Sequence, residues 1–165
     1  MRVGPAYLDD VRLQFRKLKK LAEDAIAQVT DDELVVALDP ESNSLAVIMK
    51  HIAGNLRSRF TDFLTTDGEK PDRNRDGEFE IDGHPGRGAM MADWESGWAR
   101  LFDTLDALAP DDLLREVRVR GEALTALSQL DRQMTHHAYH VGQIVFLAKH
   151  LRSTEWKNLS MPRKR

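Results

Sequence analysis

The stretch THHAYHVGQI, Thr135–Ile144, carries three of the chain's six histidines. Imidazoles so close together can ligate a divalent metal, act as general bases, or simply fill a helix face. On an α-helix, residues four apart stand one turn above each other, so His136 and His140 can converge on one point. His137 and His140, three apart, can do the same. Spacing alone leaves both pairs open. Two imidazoles make half of a tetrahedral site, and a third ligand has to come from elsewhere. His51 is the best-placed third, because it flanks the apolar stripe of its own helical pattern. His84 falls in a Gly-rich segment and His150 near a helix end. The HExxH arrangement of thermolysin-like proteases is absent, since His137 stands where the glutamate belongs. Cysteine is absent too, which excludes disulfides, thiolate zinc sites and a protein thiol nucleophile. Any thiol chemistry therefore needs a thiol from a small molecule.

A second stretch, DRNRDGEFEIDG (Asp72–Gly83), imitates a calcium loop, with Asp72, Asn74 and Asp76 at alternate positions and Gly77 following. The imitation fails at its end, where Gly83 replaces the bidentate glutamate and Gly-Pro sequence replaces the exiting helix. This segment reads as a lid or wall over one end of the fold, anchored by Phe79, with Arg73 and Arg75 offering charge to an anionic ligand. A solvated loop held by Asp–Arg pairs is the equally plain alternative.

Four amphipathic patterns must position these residues. Leu8, Val11, Phe15, Leu18, Ala22, Ala25 and Val29 recur at steps of three and four, and VTDDEL stops that helix with a short turn. Capping residues at Asp39–Ser44 precede a second stripe of Leu45, Ile48, Ile52, Leu56 and Phe60 or Phe63. A third helix, from about Ala89, presents Met91, Trp94, Trp98, Leu101, Leu105 and Leu108, and Pro110 ends it. The fourth and longest, predicted as one continuous helix over Thr125–Leu151, carries the three clustered histidines. Before it, EVRVR (Glu116–Arg120) suggests a brief extended segment stopped by Gly121. Helices with one apolar face each bury those faces against one another, so the expected fold is all-α, a four-helix bundle in a single domain over residues 1–165. The connection between the second and third helices, Asp67–Gly88, is long enough for a crossover. If the second and last helices pair in parallel, the longer last helix has to begin earlier for its histidines to reach His51.

Net charge is −3, from 24 basic and 27 acidic residues, which gives no general attraction to nucleic acid or anionic lipid. Lys17, Lys19 and Lys20 read as a solvated face, and the terminal PRKR as a solvated tail. No apolar run approaches the ~20 residues of a membrane span, so a cytoplasmic protein is expected, with neither nucleic acid nor membrane as partner.

One histidine on the second helix, then HxxxH followed by VGQI on the last, resembles the DinB-like superfamily. MKHIAGNLRSRFTDFLTTDGEKPDRNRDGEFE, HHAYHVGQIVFLAKHL and WKNLSMP resemble a branch of it described as a domain of unknown function; PRKR departs from that branch's ending. The resemblance implies a DinB-like four-helix bundle, a homodimer, and a divalent metal held by His51, His136 and His140. His137, rotated about 100° from His136, then points elsewhere. Zinc is the first choice of metal, with nickel, iron or manganese as alternatives, since imidazole suits several ions. Trp94 and Trp98 serve the core or the dimer face. Neutral imidazoles leave the ion its full charge and an open position, in which a small thiol cosubstrate loses its proton and becomes the nucleophile of a transferase. The same ligands also suit a metal-dependent hydrolase, or a non-catalytic metal-binding and interaction protein. Gln143, one turn from His140, is placed to orient it. Tyr139 and Asp131 lie on other faces, and no general base is identified.

Overall fold

A computed structural model describes residues 3–81, 83 and 85–160. His84 and the PRKR tail lie outside the described residues. Within them the chain is mostly helical, with five α-helices and one two-stranded sheet: α1 Val3–Ile26, α2 Asp31–Leu34, α3 Leu45–Phe60, α4 Arg87–Ala107, β1 Glu116–Val119, β2 Glu122–Thr125 and α5 Ala126–Arg152.

The helix ends are set by local chemistry. Thr30 and Glu33 form a reciprocal capping box that turns the expected loop after α1 into the single turn of α2, and Leu34 pins it to the core. Ser44 caps α3 by accepting from the Val47 amide, and Thr125 caps α5 by accepting from Ser128. The long last helix is therefore continuous as expected. The segment before it is more ordered than expected. Glu116–Val119 pairs antiparallel with Glu122–Thr125 through a turn in which Arg120 and Gly121 both have positive φ (56° and 78°). Asp67 accepts from the backbone amides of both turn residues at 2.8 Å, so the hairpin is tied to the α3–α4 connection.

Pairs of contacting residues give the helix directions. Arg12 reaches the Leu105 carbonyl while Glu23 accepts from the Trp94 indole, so α1 and α4 are antiparallel. Ala53 faces Gly97 and Phe60 faces Thr104, so α3 and α4 run parallel. Tyr7 bonds Asp131 and Phe15 meets His137, so α1 and α5 are parallel. The order is up, down, down, up, and the long connection is the crossover that parallel α3 and α4 require. α3 is thus antiparallel to α5, and the middle of one meets the middle of the other without the offset that a parallel pairing demands.

Phe15, Ile52, Leu56, Trp94, Trp98 and Ile144 are among the fully buried core residues. Trp94 and Trp98 belong wholly to this core, each with no exposed surface, and neither offers a dimer face. α3 is also more buried than a one-faced helix. Ala53 flanks its large apolar residues and Gly54 falls opposite them, and their small size lets α4 close in at Ala53 and the following loop at Gly54. At Gly97 an added Cβ would sit 2.8 Å from the Ala53 Cα, so glycine is what permits this approach of α3 and α4. No described helix is long and apolar enough to cross a membrane.

Candidate metal centre

α3 contributes His51 and α5 contributes His136 and His140, and the three rings meet in one cluster. Their centroids are 5.4 Å apart for His51–His136, 4.9 Å for His51–His140 and 4.7 Å for His136–His140. One nitrogen from each ring lies within 4.8 Å of the other two, an arrangement that could hold a metal ion. His51 and His140 are buried and His136 is half-buried.

The tautomers follow from the partners. The His51 Nδ1 lies 2.9 Å from Glu78 Oε2; a carboxylate only accepts, so Nδ1 carries the proton and Nε2 presents its lone pair inward. The His140 Nδ1 stands 2.8 Å from the Gln143 Oε1, which fixes the same tautomer. His51 Nε2 and His136 Nε2 are 3.4 Å apart. Two nitrogens each ~2.1 Å from a tetrahedral ion are ~3.4 Å apart, so this separation fits the edge of such a site. Burial, then the neighbouring imidazoles, push His136 down to about 2; burial pushes His140 down to about 4 against the bond to Gln143. Both rings are neutral at pH 7, which is the ligating form.

Glu78 is the residue that sequence reasoning missed. It accepts from His51 and, at 2.8 Å each, from Arg73 Nε and Nη2. Burial alone would raise its carboxyl, but the bond from His51 and the pair with Arg73 more than reverse this and hold it low. Gly54 makes room for it, since a Cβ there would lie 2.2 Å from Glu78 Oε1. No local pattern marks this role, because Glu78 is 27 residues from the histidine it supports. Phe79 packs over His51 with ring centroids 4.9 Å apart, so the segment does form a wall of the site. Arg73, expected to offer charge to a ligand, is instead occupied by Glu78 and Glu69. The calcium imitation is only a turn. Asn74 accepts from the Gly77 amide, and Asp72 and Asp76 join no ligand cluster among the described residues.

His137 points away from the cluster, as its rotation requires. It has no exposed surface, donates from Nδ1 to the Gln133 carbonyl at 2.7 Å, and packs edge-on against Phe15. His150 is exposed beside Phe146 and takes no part. Above the three rings lies a pocket of about 290 Å³. Asn55 and Arg59 line it from one and two turns beyond His51, and Gln133 from one turn before His136. Those three were not singled out from the sequence, and their helical spacing from the histidines is the signal that could have found them.

The fold and site define a mostly helical protein with a buried three-histidine cluster braced by a carboxylate and an amide. The chain belongs to the family described as protein of unknown function (DUF1572), which it matches over residues 2–165. No curated protein matches it.

Proposed function

We propose that this chain is a DinB-like four-helix bundle whose centre at His51, His136 and His140 holds a divalent ion and serves the transfer of a low-molecular-weight thiol to an electrophile. The observation that carries the reading is the 3.4 Å separation of the His51 and His136 ring nitrogens, in a cluster where Glu78 orients His51 and Gln143 orients His140. Zinc is the first choice, with nickel, iron or manganese as alternatives. When bound, such an ion supplies Lewis acidity that brings a thiol, or a water, in its open position to lose its proton near neutral pH. Glu78 and Gln143 hold the ring protons of His51 and His140 on the outer nitrogens. Phe79 covers His51 and restricts water on that side. The reading includes a homodimer and a small thiol cosubstrate, with neither nucleic acid nor membrane as partner.

Metal content and thiol-dependent turnover test it together. Purified protein is loaded with zinc, nickel, iron or manganese and given a panel of small thiols with soluble electrophiles. Consumption of electrophile that needs metal, thiol and an intact His51 is the expected result. Turnover that needs metal but no thiol would make the centre a hydrolase, and metal binding without either reaction would make it non-catalytic.

A further inference from the structure

Among the described residues, five arginines, Arg59, Arg73, Arg75, Arg120 and Arg132, line the pocket over the histidines, and no aspartate or glutamate does. The carboxylates that serve the inner arginines stand behind them. Glu69 alone carries Arg59 and Arg120 at 2.9 Å and Arg73 at 3.3 Å. Glu78 is shared between Arg73 and His51. Among the described residues Arg75 pairs only with Asp76 at 3.5 Å and lies over the Phe79 ring, while Arg132 meets the exposed Glu122 at 3.2 Å. Burial, and then the guanidiniums of Arg73 and Arg120, oppose the charge on Arg59 although Glu69 supports it. The pocket wall is therefore under-neutralised cation facing neutral imidazoles.

A second observation concerns Arg120. It occupies a left-handed position in the β1–β2 turn, where glycine is at ease and a residue with a Cβ is strained. Asp67 holds the turn through backbone amides, and the Arg120 side chain adds only a half-exposed bond to Glu69, a carboxylate already shared with Arg59 and Arg73. Deeper in the pocket, Asn55 and Gln133 are each 4% exposed, and each has a side-chain oxygen without a hydrogen-bond partner. A buried acceptor left without a donor calls for a polar ligand or water.

We propose that this pocket binds a small organic anion by its carboxylate or phosphate group, docked between Arg120, Arg132 and Arg75, with its polar end toward Asn55, Gln133 and the histidine cluster. Planar guanidiniums suit both kinds of oxyanion, and strain kept at Arg120 places one of them at the mouth. The inference deepens the metal-centre reading by naming the charge of its substrate, yet the arginine dock itself does not require the ion.

Calorimetric titration of the zinc-loaded and the chelated protein tests it, with succinate, inorganic phosphate and neutral succinamide as probes. One of the two anions saturates and succinamide does not; tighter succinate assigns a carboxylate, tighter phosphate a phosphate. R120G and R132A each weaken that anion at least ~10-fold, while R120G melts no lower than the parent because its turn is relieved. R115A, on an exposed arginine outside the pocket, leaves binding unchanged. The proposal is overturned if neither anion saturates below ~10 mM, or if R120G binds as the parent does or no more weakly than R115A. Anion binding that persists where zinc, nickel, iron and manganese all fail to bind would sink the metal reading and leave this one standing. Zinc binding without anion binding does the reverse.

Discussion

Replacing Glu78 by glutamine tests whether the cluster is built for a metal or is only a packed group of rings. The carboxylate would make His51 a stronger ligand by accepting a hydrogen bond from its Nδ1 at 2.9 Å, and it is itself held by two bonds from Arg73. Partners of this kind contribute about 10–100-fold to metal affinity, or roughly 1.4–2.7 kcal/mol. Glutamine keeps the shape and one acceptor but removes the charge, so affinity should fall within that range rather than vanish. The same change leaves Arg73, with only 5% of its side chain exposed, supported by Glu69 alone at 3.3 Å. Breaking a buried pair costs about 3–5 kcal/mol, and the remaining carboxylate places the loss at the lower end. Competition against a chromophoric chelator, read on protein first shown to be folded by circular dichroism, separates the two effects. Gly54→Ala supplies an independent route, because the three atoms nearest its Cβ all belong to Glu78 and the carboxylate would be displaced. It should weaken metal similarly, and the double variant should be no worse than the weaker single, since both remove one interaction. An E78Q protein that holds metal as tightly as the parent would refute this account of the site.

Alanine at His51, His136 or His140 should cut metal affinity by orders of magnitude. His137→Ala should keep the metal but cost about 2–4 kcal/mol by leaving a cavity against Phe15, read by urea unfolding. An H137A protein emptied of metal beside a filled H136A would reverse the assigned register. Burial, against the bond to Gln133, holds His137 down to about 3, whereas an unfolded histidine titrates near 6.5. The unfolded state therefore binds the extra proton, and His137 contributes up to ~1.4 kcal/mol per pH unit to the stability the chelated protein loses as pH falls from ~6.5 toward 3, beside like contributions from His136 and His140. His137→Leu should remove that one share and make the slope shallower, and an unchanged slope would count against the assignment. Gly97→Ala should destabilise the fold by about 1–3 kcal/mol, because the contacted atoms are Ala53 backbone that cannot swing aside. A urea midpoint equal to the parent's would contradict that.

The main helices were legible because they follow helical periodicity; for the histidines spacing left two pairs open, and the family resemblance is what pointed to His51, His136 and His140. His136 and His140 are four apart, and the last helix carries a capping threonine at its start. Gln143 was legible for the same reason, one turn from its histidine. What was hidden depends on distant pairs. Glu78 meets His51 only after the chain has crossed back along α3, and its own neighbours imitate a calcium loop. The hairpin was half visible: EVRVR alternates, but Glu122–Thr125 is too short and too mixed in polarity to mark a strand. The burial of Trp94 and Trp98 was visible as an apolar face. That the face is covered inside the same chain depends on Phe15 from α1 and on the fit at Gly97, which periodicity does not encode.

The parallel pairing of α1 with α5 has a consequence for how the protein is made. Tyr7 and Asp131, which bond each other, are 124 residues apart, and His51 and His136 are 85 apart. An all-helical chain with such distant partners closes large loops before its contacts reward it, and it should fold more slowly than a bundle of successive hairpins. During synthesis the side of α1 that packs on α5 stays uncovered until Ala126–Arg152 has been made. The histidine cluster joins the two late-meeting halves. A metal taken up there forms its bonds after the slow step and acts mainly by slowing unfolding.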